Sequence, residues 1–204
     1  MKETITFIEG MVYECVVTTF SEDRAPHSAS MGVRFYSRAT EDIAIIRPHV
    51  ESQTYRNLVT RKSGAINVVD PLMLVECALD LEILEKEYRS ARSVDAPLLE
   101  GAQAWIEFTA SNLITEGEWS VVECALKEVR AGNRQLQLFS RATSALVEAA
   151  VAASRVQVYR KMNDQDGLRE LMKTIERSIS LARRLGKGTL VERVADELIK
   201  RYLV

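Results

Sequence analysis

Hydrophobic and polar positions give the chain two textures, which meet near Gly132-Asn133. Before that point, β-branched and aromatic runs of strand length are separated by turn residues; after it, apolar residues recur at helical spacing. Met11 to Phe20 (MVYECVVTTF) predicts a strand, and Ser21 to Pro26 supplies a polar turn. Ser28 to Tyr36 (SASMGVRFY) predicts a second strand with Gly32 inside it, the mark of a bulge or of close approach by a ligand or backbone. Asp42 to Arg47 predicts a third strand, ended by Pro48. Ser52 to Lys62 predicts a helix: Ser52 suits the N-cap, Tyr55, Leu58 and Val59 share one face, and Ser63-Gly64 stops it. Ala65 to Val69 predicts a fourth strand. Leu72 to Glu87 fits a helix or buried strands equally, and Ser90 to Gln103, which holds Pro97 and Gly101, reads as loop. Ala104 to Ile114 and Trp119 to Val129 predict two strands turned by Glu116-Gly117.

The C-terminal part predicts three amphipathic helices. The first runs from about Arg134 to Met162, with Asn133 as its cap. The second follows Asn163-Asp164, ends at Gly186 and carries a stripe of Leu168, Leu171, Met172, Ile175, Ile179 and Ala182. The third opens on Thr189-Leu190-Val191-Glu192, a capping box in which Thr189 and Glu192 satisfy each other's N–H groups. Val191, Val194, Ala195, Leu198 and Tyr202 form its stripe. The expected protein is α+β, with a β-rich domain over 1–132 and a helical domain over 133–204 whose helices pack on each other or on the β domain.

Composition narrows the classes. The 204 residues, 47% apolar and 27% charged, are enough for a folded core without staples. The 27 basic and 29 acidic residues leave a net charge of −2, so a nucleic-acid partner is not expected. Cys15, Cys77 and Cys124 are odd in number, widely spaced and set among apolar residues; they read as buried hydrophobes in a reducing compartment. No basic-then-apolar leader opens the sequence, and no apolar run approaches the roughly 20 residues of a membrane span. A cytoplasmic protein without a membrane partner is expected.

Several chemistries lack their motif. GxGxxG, HExxH and GxSxG do not occur, and Gly186-Lys187-Gly188-Thr189 lacks the upstream Gly and strand of a P-loop. His27 and His49 read as turn and strand-end residues, and without a Cys/His cluster no metal site is expected. Asp80 and Glu82 fit an edge or solvent face, and Arg183-Arg184 a helix C-terminus. No side chain stands out as a catalytic acid, base or nucleophile.

Residues 11 to 70 remain, and they suit a flat phosphorylated ligand. Ser28, Ala29, Ser30 and Gly32 are small enough for a ring to approach the backbone, whose N–H and C=O groups can bond to the ring's edge. The helix starting near Ser52 offers free N–H groups and partial positive charge to a phosphate. Ser52 and Thr54 add hydroxyls, and Arg47 a forked, permanently charged donor. Each feature also has a purely structural reading: Ser52 as a cap, Asn57 on a solvated face, Gly32 as a bulge.

The succession GMVYECVVTT, APHSASMGV, SQTYRNL and INVVD resembles the split-barrel flavin-binding proteins, and more narrowly the family called domain of unknown function 447. The resemblance covers essentially the whole chain, with its specific motifs in the first 70 residues or so. It implies a Greek-key FMN-binding split β-barrel of about six strands, a helical C-terminal region, and FMN held at a homodimer interface. It further implies Ala29, Ser30, Met31 and Gly32 along the isoalloxazine, with Arg47, Ser52, Gln53, Thr54 and Asn57 around the phosphate and ribityl chain. Asn67 is implied near the ring. A Pro commonly precedes the Met-Gly pair in the family, where this chain has Ser30, a change that bears on the contact to the ring.

The expected function is that of an FMN-binding flavoprotein, as a reductase or oxidoreductase of unassigned substrate. The flavin carries hydride chemistry itself, so a catalytic triad is not required. The alternatives are a non-catalytic flavin carrier or sensor acting through the helical domain, loosely associated with one-carbon and pterin metabolism, and a scaffold whose flavin pocket has decayed.

Overall fold

The computed structural model describes residues 5–7, 9–10, 12–39, 41–132 and 141–203. They form two compact units: Met1–Asp70 with Lys86–Gln135, and Pro71–Glu85 with Leu136–Val204. The helical unit therefore takes in a short segment from within the expected β-rich domain.

In chain order the first unit contributes β1 (Val12–Phe20), β2 (Pro26–Ser37), β3 (Asp42–Ile46), α1 (Gln53–Arg61) and β4 (Ser63–Val68). It then adds β5 (Tyr88–Ser90), β6 (Pro97–Leu99), β7 (Ala104–Glu116) and β8 (Trp119–Ala131). Six strands close an antiparallel Greek-key barrel in the order β1-β2-β3-β8-β7-β4. Alternation along each strand sends Cys15, Val17, Val33, Phe35, Ile46, Ile66, Phe108 and Val122 inward, and α1 adds Leu58 to the same core. At Gly64 the wall lies close against the core: a Cβ there would sit 2.6 Å from Phe108 Cζ and 3.0 Å from the Thr18 carbonyl.

Of the two readings of Gly32, a bulge or a place of close approach, the bulge does not form, because the β1–β2 ladder runs unbroken through Glu14↔Gly32. Register shifts occur instead in the long β7–β8 hairpin, between Glu107 and Phe108 and between Ala110 and Asn112. Ser90 to Gln103, read as loop, contains β6 and the end of β5, a ribbon of three-residue strands too short to show alternation. This segment covers the outer faces of β1, β4 and β7, packing Leu98, Ala96 and Ala102 against Ala65 and Trp105.

The second unit joins α2 (Pro71–Leu79) to α3 (Arg141–Lys161), α4 (Gln165–Leu185) and α5 (Leu190–Tyr202). Leu72 to Glu87 thus opens as a helix. Its periodicity is weak because Leu74, Val75, Glu76, Cys77 and Leu79 are all buried. The Glu76 carboxylate accepts from the amides of Glu82, Ile83 and Leu84, closing the turn in which Asp80 and Glu82 adopt φ of 47° and 59°. Small residues on α3, including Ala145, Ala149 and Ala153, pack with Ile175 and Ile179 of α4 and Val194 and Leu198 of α5. Arg201 anchors α5 to α2 by donating to the carbonyls of Leu79 and Asp80. Asp164 caps α4 by accepting from the Gly167 amide. At α5, Thr189 Oγ1 accepts from Val191, but Glu192 accepts from the Gly188 amide, one residue before the position a capping box requires. The expected strand start at Met11 and the Asn133 cap with residues 133–140 lie outside the described residues. Among the described residues no helix is long and apolar enough to cross a membrane.

Candidate functional site

β3 pairs with β2 only from Ser37↔Asp42 to Val33↔Ile46. Beyond Ile46 the chain leaves β2 but keeps to β8. Ser120 N–H donates to the Pro48 carbonyl (2.9 Å), His49 bridges Trp119, and Val50 N–H donates to the Glu118 carbonyl (3.0 Å). The chain meets β2 again at the start of α1, where His27 Nε2 lies 3.2 Å from Thr54 Oγ1. The barrel wall is therefore split alongside β2 from His27 to Val33, a strand length of about 20 Å.

Ala29, Ser30, Met31 and Gly32 form the β2 side of this split. Cross-strand partners share a face, so Ala29 and Met31 lie with Val17 and Cys15 on the inner face, and Ser30 and Gly32 with Val16 and Glu14 on the outer one. A Cβ on Gly32 would come within 2.7 Å of Val12 Cγ1, so this edge admits a larger residue only if Val12 moves.

Arg47, Ser52, Gln53 and Thr54 stand on the other side. Ser52 Oγ accepts from the Tyr55 amide (3.2 Å) and fixes the start of α1. The amides of Gln53 and Thr54 belong to the first turn and have no backbone acceptor among the described residues. Arg47 is half-exposed and ion-paired with Glu116 at 3.0 Å. These groups offer an anion two amides, a hydroxyl and a guanidinium, while the β2 edge offers backbone groups to a flat ring.

The buried face of α1 differs from the expected one. Thr54, Asn57 and Leu58 are buried, while Val59 is 49% exposed. Polar residues face inward because the barrel rim beneath them is itself polar. Asn57 Nδ2 donates to Thr19 Oγ1 (2.9 Å), and its Oδ1 accepts from Gln53 Nε2 (2.6 Å). Asn57 is thus not solvated; it seats the helix that borders the split.

Asn67 is held apart from the others. It has no exposed surface, donates to the Val16 carbonyl (3.0 Å) and Thr18 Oγ1 (2.9 Å), and accepts from the Leu99 amide (2.9 Å). It lies on β4, across β1 from β2, about 10 Å from the Ser30 position.

Two residues enter the site without having been singled out. His27, read as a turn residue, belongs to β2 and ties it to α1. Glu116, read only as part of a turn, reaches Arg47 across the hairpin. No local signal marks either contact, since the partners are 27 and 69 residues apart. Beyond the α1 end of the split lies an open groove of about 710 Å³, lined in part by Glu22, Asp23, His27 and Gln53. The Ser21 hydroxyl and the Ala25 amide hold the Asp23 carboxyl below its usual range, and the Arg61 guanidinium donates to the Ser21 and Glu22 carbonyls of the same segment.

Comparison with known proteins agrees with this architecture. A search of curated proteins finds no match. Among solved structures, the chain is similar to an FMN-bound DUF447 protein from Methanosarcina mazei, with 26% identity, 95% of each chain covered and a TM-score of 0.72. It shares a fold with the 2-nitrobenzoate 2-nitroreductase of Pseudomonas fluorescens, at 15% identity over 58% of this chain and 64% of that one, with a TM-score of 0.53. It also shares a fold with the flavin reductase PheA2, at 14% identity over 60% and 81% of the two chains, again with a TM-score of 0.53. The family model for the N-terminal domain of DUF447, a protein of unknown function, matches residues 13–134, and the model for its C-terminal part matches residues 140–201. The chain belongs to the DUF447 family.

Proposed function

We propose that this protein is an FMN-binding flavoprotein that holds its cofactor in the split beside β2. The observation that carries this reading is the β2–β3 ladder, which stops at Val33 while the first turn of α1 borders the far end of the gap. The isoalloxazine lies along Ala29 to Gly32, and the phosphate sits at the amides of Gln53 and Thr54, the Ser52 hydroxyl and the Arg47 guanidinium. The chain carries one phosphate-sized site and no second dinucleotide fingerprint, which favours FMN over FAD. The FMN bound by the Methanosarcina mazei relative supports the same cofactor.

Bound flavin supplies hydride or electron transfer by its own chemistry. The residues of this chain bind and orient it: the small β2 residues admit the ring, and the Asn57 and His27 contacts fix the helix start that meets the phosphate. An oxidoreductase and a non-catalytic carrier share this geometry. Trp119 and Ile114, 47% and 51% exposed near the Arg47–Glu116 pair, support a homodimer through the barrel with flavin at the interface.

The test is direct. The purified protein should be yellow, and denaturation should release a flavin that chromatographs as FMN. FAD, or no flavin after incubation with FMN, overturns the reading. Bleaching by NADH or NADPH followed by reoxidation with a substrate identifies an oxidoreductase; absence of turnover leaves the carrier. A flavin-loaded monomer in light scattering at micromolar concentration contradicts the dimer.

A further inference from the structure

Arg47 sits where β3 leaves β2, on the connection that leads to Ser52 and α1. Its ion partner Glu116 ends β7 at the tip of the β7–β8 hairpin, where Gly117 turns the chain with φ of 63°. Both side chains are about half exposed, at 50% and 55%, so their pairing adds little to the stability of the barrel. An exposed pair of this kind is held loosely enough for a stronger partner to replace one member.

A flavin phosphate arriving at α1 is such a partner. It carries nearly two negative charges and three acceptor oxygens, against the single charge of a carboxylate. Two anions then compete for one guanidinium. We infer that Glu116 is the internal competitor of the flavin phosphate for Arg47 and sets the affinity of the site. On binding, Arg47 turns from Glu116 to the phosphate, while the backbone bonds of Pro48 and Val50 to Ser120 and Glu118 keep the hairpin on the connection after β3. This inference rests on the proposed FMN site. The opposite role, in which Glu116 aims Arg47 at the phosphate, predicts the opposite sign when the carboxylate is neutralised.

The experiment titrates flavin-free protein with FMN and, separately, with riboflavin, which lacks the phosphate. Wild type, Glu116→Gln, Arg47→Ala and the double variant are compared at low and high salt. Glu116→Gln should bind FMN roughly two- to fivefold tighter at low salt. The gain should shrink as salt screens the charges. Riboflavin affinity should not change, and the gain should vanish in the Arg47→Ala background, as coupling between the two residues requires. Unchanged or weaker FMN binding by Glu116→Gln overturns the inference, as does an equal gain for riboflavin. Wild-type protein that binds no FMN defeats the cofactor reading itself; wild-type protein that binds FMN while Glu116→Gln is silent defeats the competition alone.

Discussion

Asn67→Ala should damage the fold and spare the flavin. Asn67 is fully buried in β4 and links three parts of the barrel unit: β1 through Val16 and Thr18, its own strand through Ala65, and the covering ribbon through Leu99. Alanine removes the acceptor of the Leu99 amide in a place where Leu98, Leu99, Thr18 and Ala65 are themselves without exposed surface. A buried donor left unsatisfied costs about 1–3 kcal/mol. The lost amide donor and the small void raise the total to about 2–4 kcal/mol, a large part of the roughly 5–15 kcal/mol typical of a domain. Urea unfolding of flavin-free wild type and variant measures this term without the stabilisation that bound ligand adds. FMN titration of the folded variant measures the other, and its dissociation constant should stay within about threefold of wild type, or ~0.6 kcal/mol. An unchanged unfolding midpoint would refute the hydrogen-bond account. A tenfold loss of FMN affinity in a well-folded variant would put Asn67 at the ring, where the family resemblance alone had implied it.

Arg47→Ala should weaken FMN binding by roughly ten- to a hundredfold, the worth of a charge-assisted phosphate contact, with little change in melting temperature; an unaltered dissociation constant removes Arg47 from the site. Leu198, fully buried in the core of the helical unit, should cost about 2–5 kcal/mol on truncation to alanine while FMN affinity holds, as thermal melting and titration of one variant will tell. Burial pushes the Cys15 thiol from 9.0 up to about 12 and raises Cys124 as well. Folded protein therefore keeps its Cys15 proton at a pH where unfolded chain loses it, so this contribution is intact below about pH 9 and is lost between about 9 and 12. Cys15→Ala should flatten the alkaline fall in stability across that window, and an unchanged slope would count against a titrating Cys15.

The barrel strands and two of the helical caps were legible because local rules decide them. β-branched runs bounded by turn residues gave β1, β2, β3 and β4, and Ser52 and Thr189 cap the helices their chemistry suits. What stayed hidden depends on contacts distant in sequence. The helix α2 carries no clear period because its partners in the helical unit bury it on several sides. The ribbon β5–β6 owes its existence to the outer barrel face that it covers. The candidate site divides the same way. Small residues on β2 and a capped helix start are local features and were found, whereas the Arg47–Glu116 and His27–Thr54 contacts join residues far apart in the chain.

Asn57 and Asn67 show why residue type alone does not separate a ligand from a brace. Both were grouped with the cofactor contacts, and both are buried with amides committed inside the protein. Their positions nevertheless differ in consequence. Asn67 ties the barrel to its ribbon with β1 between it and the split. Asn57 joins Gln53 to Thr19 and so fixes the first turn of α1, whose Gln53 and Thr54 amides have no backbone acceptor among the described residues. An apolar residue at that position would hold the helix against the barrel but let it slide, because apolar packing has no preferred direction. Hydrogen bonds to Thr19 and Gln53 specify distance and angle, and a preorganised anion site needs its donors held to within about half an ångström. The polar seat of α1 is therefore best understood as part of the site's construction.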